Sequence, residues 1–345
     1  MSVEAVPRTQ LDAAAHEPPI LEVRDLVKHY PVRNGPLRRG SGSVRAVDGV
    51  SFSVPRGKTI GLVGESGSGK STTARLANRL IEPTSGQVYF DGEDLLAKPR
   101  RELKAVRRRM QMVFQDPFGS LNPRLTALDI VGEPLQVHRV ARGRARTNRV
   151  VELLETVGLS GRDLYRYPHQ FSGGQAQRLG IARALATDPD VILCDEAVSA
   201  LDVSVQAQIL NLLKHLQRQL GLSYLFIAHD LNVVRYMADE LCVMYMGEIV
   251  ERGDSDAVFA APRHPYTQTL LAAVAGSDPA TARTKERAMA RGEVPSPSAP
   301  PSGCRFHTRC PLAFERCSTE PPRQHADPAT GRAAACHLLD VAEVR

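Results

Sequence analysis

The chain has 345 residues, 44 Lys and Arg against 38 Asp and Glu, and a formal net charge of +6. That mild excess does not by itself argue for a nucleic-acid partner, and no run approaches the ~20 apolar residues that cross a bilayer. Residues 1–19 lack the charged start and apolar core of a secretory signal, so a cytosolic protein is expected, with any membrane role supplied by partners.

Residues 1–19 have little to bury and read as disordered. A strand pattern begins at residues 21–27. Residues 33–43 are rich in Gly and Arg without apolar period and read as a loop insertion. Residues 50–54 alternate as a half-buried strand does. From Thr59 onward strands and helices alternate, which predicts an α/β fold. Residues 59–63 form a buried strand, 70–80 a helix and 110–114 a strand. The basic run 100–109 has helical spacing and reads as a solvated face. Residues 125–158 are mostly helical, so a helical subdomain over about 116–180 is expected between two halves of the sheet. Residues 191–194 and 224–227 are short strands, with an amphipathic helix over 205–220 between them. The main domain then runs over 20–275, followed by a Pro-rich linker over 276–303 and a Cys-rich extension over 304–345.

The chemistry sits where a strand meets a helix. Gly64, Glu65, Ser66, Gly67, Ser68, Gly69, Lys70 and Ser71 read G-E-S-G-S-G-K-S, followed by Thr72. The pattern G-x-x-x-x-G-K-[ST] after a strand and before a helix is a phosphate loop. Its glycines let backbone N–H groups face the phosphates, and the helix N-terminus favours the anion. Lys70 is expected on the β- and γ-phosphates of ATP and Ser71 on Mg²⁺. Further on, V-I-L-C-D-E places Asp195 at a strand end as a second Mg²⁺ ligand. Glu196 beside it is the candidate general base. His229 follows the strand 224–227 as a γ-phosphate sensor. Gln115 follows the strand 110–114, placed to coordinate Mg²⁺ or water and to relay motion to a docked partner.

These residues together resemble the ATP-binding subunit of ABC transporters, a P-loop NTPase fold of ABC type. Phe171 to Gln175, F-S-G-G-Q, is similar to the family signature, and Ser199 to Asp202, S-A-L-D, to its D-loop. The resemblance implies head-to-tail pairing of two such domains. Ser172, Gly173, Gly174 and Gln175 of one would then meet the ATP held by the other. It also implies that Tyr30 stacks on adenine. Ala197 departs from the Pro that relatives commonly carry there, at a position away from the chemistry.

Four further stretches are similar to the dipeptide and oligopeptide importer ATPases. They are F-Q-D-P-F-G-S-L-N-P-R from Phe114, S-A-L-D-V-S-V-Q from Ser199, H-P-Y-T-Q-T-L-L from His264 and G-E-V-P-S-P from Gly292. H-Y-P-V from His29 resembles the second ATPase of the pair. The resemblance implies ATP hydrolysis that powers peptide import from the cytoplasmic face of the membrane. The implied partners are a sister ATPase, two permease subunits and an extracytoplasmic peptide-binding protein. The subfamily includes nickel and murein-peptide importers, and substrate is chosen outside this chain. A soluble ABC ATPase of DNA repair or translation is the rival reading. The long coiled-coil insertion or second ATPase domain of those classes is not visible.

Cys194 and Cys242 lie in apolar runs and read as buried small hydrophobes. Cys304, Cys310, Cys317 and Cys336 are spaced C-x5-C-x6-C-x18-C. A cytosolic location argues against disulfides. Four thiolates suit zinc or an iron–sulfur cluster, but zinc sites favour tight C-x2-C pairs. The resemblance to the importer subfamily implies a [4Fe–4S] cluster. His307 and His337 flank these cysteines and read as surface residues.

Overall fold

The computed structural model describes residues 18–31, 42–274 and 292–342. Most of the expected disordered N-terminus and loop insertion, and much of the linker, lie outside these.

In chain order the first elements are β1 (Leu21–Pro31), β2 (Ser43–Val54), β3 (Thr59–Val63), α1 (Lys70–Ala77), β4 (Ser85–Phe90) and β5 (Glu93–Asp94). Next come α2 (Leu103–Arg109), β6 (Met110–Val113), α3 (Ala127–Val137), α4 (Gly143–Thr156) and α5 (Gly173–Leu185). Then follow β7 (Val191–Asp195), α6 (Val203–Leu220), β8 (Ser223–Ile227), α7 (Leu231–Met237), β9 (Glu240–Tyr245), β10 (Glu248–Asp254), α8 (Ser255–Ala260) and α9 (Pro265–Val274). After Gly292 come α10 (Glu315–Thr319), β11 (Gln324–Ala326), β12 (Ala333–Ala335) and α11 (His337–Ala342).

The strands form two sheets. An antiparallel sheet has the order β2-β1-β4-β5, and a larger sheet the order β11-β12-β10-β9-β3-β8-β7-β6. Strands β9, β3, β8, β7 and β6 run parallel. In β3, β7 and β8 every residue is buried, which is why they read as unbroken apolar runs. Side chains alternate between the two faces. Ile192, Cys194, Tyr224 and Phe226 enter one core with the helices. Val191, Leu193, Leu225 and Ile227 enter the other, under the antiparallel sheet. Helix α6 buries Ile209, Leu210, Leu213 and Leu216, one stripe of a 3.6-residue period. It ends where Gly221 turns left-handed, at φ 67°.

β2 begins at Ser43, seven residues earlier than alternation suggests. Register shifts along the β1–β2 ladder break the period that sequence reading relies on.

The Cys-rich extension continues the central sheet: β12 pairs antiparallel with β10, Glu251 opposite Ala334. Phe306 is buried against Tyr245 and Tyr266, ring centres 5.3 Å from each. His264, at the entry to α9, is buried and accepts the Tyr266 N–H on Nδ1 at 3.0 Å. Its own N–H reaches Glu251 Oε2 at 2.9 Å. His337, expected at the surface, is only 2% exposed. Its Nε2 reaches the Glu320 carbonyl at 2.9 Å, and tertiary packing around β12 accounts for the difference.

Burial pushes the His264 imidazole down from 6.5 to about 3. The neutral form is therefore favoured by folding. That stability is complete above pH 6.5 and is lost as pH falls toward 3. Melts between pH 7 and 4 should show a slope of up to about 1.4 kcal/mol per pH unit from this group. His264→Gln should flatten that slope, which urea titrations at each pH would measure.

Candidate functional site

Strand order builds the site. β3, β8 and β7 lie side by side, and their carboxyl ends release Gly64, Ala228 and Glu196 on the same rim. Ligands in parallel sheets bind at that rim. A cleft of about 290 Å³ opens there. Ser66, Gly67, Gly69, Lys70, Ser71 and Thr72 line it, with Gln115 and Glu196 opposite. Val44 and Ala46 of β2 and Pro297 of the Pro-rich linker complete its wall. A larger cleft of about 850 Å³, lined by Arg101, Lys104, Arg108 and His138, holds none of these groups.

The loop needs its glycines. Gly69 has φ 107°, and a Cβ there would run into the Ala46 carbonyl. Gly64 has φ 153°, with the Met244 carbonyl in the same relation. Gly64, Glu65 and Ser68 form the loop's underside and do not line the cleft. Ser68 is buried, and its N–H donates to the Glu65 carbonyl at 3.2 Å. The Glu65 N–H is already donated to the Tyr266 hydroxyl at 2.9 Å, so it has no N–H to offer a phosphate.

Lys70 is buried, and its Nζ donates to the carbonyls of Gly64 and Glu65 at 2.8 and 2.9 Å. An ammonium has three donors, so one remains toward the cleft. Burial lowers its pKa, while Glu196, Asp195 and Glu65 pull it back up. Ser71 Oγ donates to Asp195 Oδ1 at 2.7 Å. Burial raises the Asp195 pKa, with Ser71 opposing. A hydroxyl and a carboxylate meeting beside a phosphate loop form an oxygen donor set of the kind a hard divalent cation takes.

Glu196 is bracketed by the other two candidates. Gln115 Nε2 donates to its Oε2 at 2.9 Å, and His229 Nδ1 lies 3.3 Å from the same oxygen. Its backbone is left-handed, φ 51°.

Two further predicted groups lie outside the cleft. Ser172 caps α5, accepting the Gln175 N–H while the Gln175 side chain accepts its own N–H at 3.0 Å. Gly174 packs on Val205, where a Cβ would not fit. Tyr30 ends up in β1, 40% exposed, with Lys28 Nζ 5.1 Å from its ring centre. Among the described residues no three His, Cys, Asp or Glu side chains converge closely enough to hold a metal ion. The four clustered cysteines are nonetheless neighbours. Burial pushes Cys304 up to about 12 and Cys336 to about 11, and the other thiols add to both.

Tyr266, Pro297 and Arg309 were not visible as site residues, because each reaches the loop across about 200 residues or more. The G-E-V-P-S-P similarity touches Pro297 without indicating its place.

The ABC transporter family matches residues 47–199, and the oligopeptide/dipeptide transporter C-terminal region matches residues 250–317. The chain is 54% identical to a probable peptide ABC transporter ATP-binding protein, y4tS, of Sinorhizobium fredii, over 92% of this chain and 90% of that one. It is 49% identical to the oligopeptide transport ATP-binding protein AppF of Bacillus subtilis, over 94% and 99%. Among solved structures, the ATP-binding cassette MJ0796, a dimer in a post-hydrolysis state bound to ADP and Pi, matches with a TM-score of 0.61 and 33% identity. That match covers 68% of this chain and 98% of that one. The chain belongs to the ATP-binding proteins of ABC transporters. Within them it carries the C-terminal region of the oligopeptide/dipeptide type.

Gly69→Ala should lower unfolding stability by about 1–3 kcal/mol and abolish nucleotide binding; thermal melts with and without ATP would read both.

Proposed function

We propose that this ATPase hydrolyses ATP to drive import of di- or oligopeptides through a membrane permease. The observation that carries the reading is Glu196, held by Gln115 and His229 across the cleft from Lys70. Phosphate-loop N–H groups and Lys70 bind the triphosphate. Ser71 and Asp195 would hold Mg²⁺, with Gln115 as a further donor; bound there, the ion would offset negative charge on the triphosphate. Glu196 accepts a proton from the attacking water, in line with the leaving group. His229 orients Glu196 and contacts the γ-phosphate.

The Ser172–Gln175 cap presents a helix N-terminus away from the chain's own cleft. A second ATPase closing head to tail would receive that N-terminus on its own γ-phosphate and set its own signature helix on this chain's. The partner is a sister ATPase, and Tyr30 closes on adenine. Two permease subunits dock near Gln115 and the α3–α5 subdomain at the cytoplasmic face of the membrane, and an extracytoplasmic protein delivers the peptide. No helix of the described residues is long and apolar enough to cross a membrane, consistent with attachment through permeases.

Cys304, Cys310, Cys317 and Cys336 would hold a [4Fe–4S] cluster in this reading. What supports the reading is that the four thiols lie within electrostatic reach of one another. Bound there, it would brace the extension or sense redox state.

Glu196→Gln should keep ATP affinity and lose turnover by about a hundredfold or more. Wild-type turnover in that variant would overturn the base assignment. Lys70→Ala should lose ATP binding itself. Turnover of the wild-type chain should rise in the permease complex; indifference to permeases would shift the reading to a soluble ATPase. Anaerobic protein should carry about four irons per chain, and zinc without iron would overturn the cluster alone.

A further inference from the structure

We propose that Arg309 is a positioning residue of the ATP site, acting from the four-cysteine segment by fixing Glu65 of the phosphate loop. The proposal rests on the ATPase reading above.

Arg309 Nη1 and Nη2 donate to Glu65 Oε2 and Oε1 at 2.7 and 3.1 Å. This is a fork-on-fork pair, the geometry in which Arg gives both charge and direction. The Arg309 side chain is 10% exposed and that of Glu65 29%, so solvent replaces little of what the pair provides. The guanidinium also lies 5.9 and 6.0 Å from the ring centres of Tyr245 and Phe306. The segment that carries it is turn-rich and bracketed by Cys304 and Cys310. Within it, the Arg309 N–H returns to the Phe306 carbonyl at 3.0 Å and the Cys304 N–H reaches the Cys317 carbonyl at 2.8 Å. Arg305 anchors the same segment, bonding the Met246 carbonyl and Asp48 and pairing with Glu248 at 2.9 Å.

Glu65 is thereby held at three points: its N–H by Tyr266, its carboxylate by Arg309, and its carbonyl by Lys70. The last contact connects the extension to the chemistry, because that carbonyl is one of two that locate the Lys70 ammonium. Glu65 also lies within electrostatic reach of Lys70. Without Arg309, the nearest cation in the loop for the Glu65 carboxylate is Lys70, and the carboxylate then competes with the triphosphate. With Arg309 in place the carboxylate is engaged on the far side of the loop and Lys70 stays available. A protein whose extension is disordered would bind ATP poorly even with every phosphate-loop residue intact.

The test uses the full chain with a fluorescent ATP analogue, ATPase kinetics and thermal melts. Arg309→Gln should weaken nucleotide binding about tenfold, with KM following and kcat within a factor of about two. Arg309→Lys, which keeps the charge but not the fork, should recover part of the loss. Glu65→Gln added to Arg309→Gln should restore affinity to within about threefold of wild type, because the competing carboxylate is gone. Arg316→Gln breaks pairs with Glu320 and Asp340 in the same extension; it should lower the melting temperature and leave KM unchanged. Wild-type affinity in Arg309→Gln would overturn the proposal. So would a KM that tracks melting temperature across Arg309→Gln and Arg316→Gln with no rescue by Glu65→Gln. A wild-type chain that binds no nucleotide would instead overturn the ATPase reading beneath it.

Discussion

Lys70 is a buried residue, 5% exposed, and a buried charge is tolerable only when acceptors surround it. Two backbone carbonyls, of Gly64 and Glu65, meet that need directly. Three carboxylates stand within electrostatic reach and oppose the desolvation that would strip its proton. The arrangement fixes much of the neighbourhood. For the carbonyls to point inward, the loop must run through φ values that Gly64, Gly67 and Gly69 supply. For the carboxylates to be near, β7 must end beside β3, with β8 between them. The parallel sheet satisfies that condition, and its buried strands hold it rigid.

The same sheet explains how far the sequence could be read. Strands β3, β7 and β8 have continuous apolar runs because both their faces are covered, and they were legible for that reason. The residues that follow them are local to those strand ends, so strand adjacency brings Lys70, Ser71, Asp195, Glu196 and His229 to one rim. The β1–β2 ladder was harder, since its register shifts erase the alternation that marks a strand. Glu65 was misjudged in one respect. Its position in the motif suggested phosphate contact, whereas its N–H is used by Tyr266 and its carboxylate by Arg309. Contacts across 201 and 244 residues leave no local pattern.

The extension illustrates a second limit. Proline-rich composition and clustered cysteines mark a change in the chain, and the expectation of a linker followed by a small unit comes from that change. Composition does not say where such a unit docks. Docking is decided by β12 pairing to the open edge of β10, by Phe306 filling a pocket between Tyr245 and Tyr266, and by two buried arginines. Buried arginines carry a desolvation cost that only good partners offset. Arg305 has Asp48 and Glu248, and Arg309 has Glu65. All three carboxylates belong to the ATPase core, so the extension and the core supply each other's missing charge.

Glu196 gives the clearest separation between what stability asks for and what chemistry asks for. A non-glycine residue at φ 51° is strained by about 1 kcal/mol or more, and glycine would relieve it. The backbone is held there from both sides. The Glu196 N–H donates to the Ile227 carbonyl at 3.0 Å, and the Ser199 N–H and hydroxyl both return to the Glu196 carbonyl. Those bonds belong to the backbone and would survive substitution by glycine. What glycine cannot supply is the carboxylate that Gln115 and His229 bracket. The left-handed turn re-aims the chain at the rim of the sheet, so that Asp195 meets Ser71 while the next side chain faces Gln115 across the cleft. Two adjacent acids in an extended strand would point to opposite faces. The strained turn is what lets Asp195 reach Ser71 while Glu196 reaches Gln115.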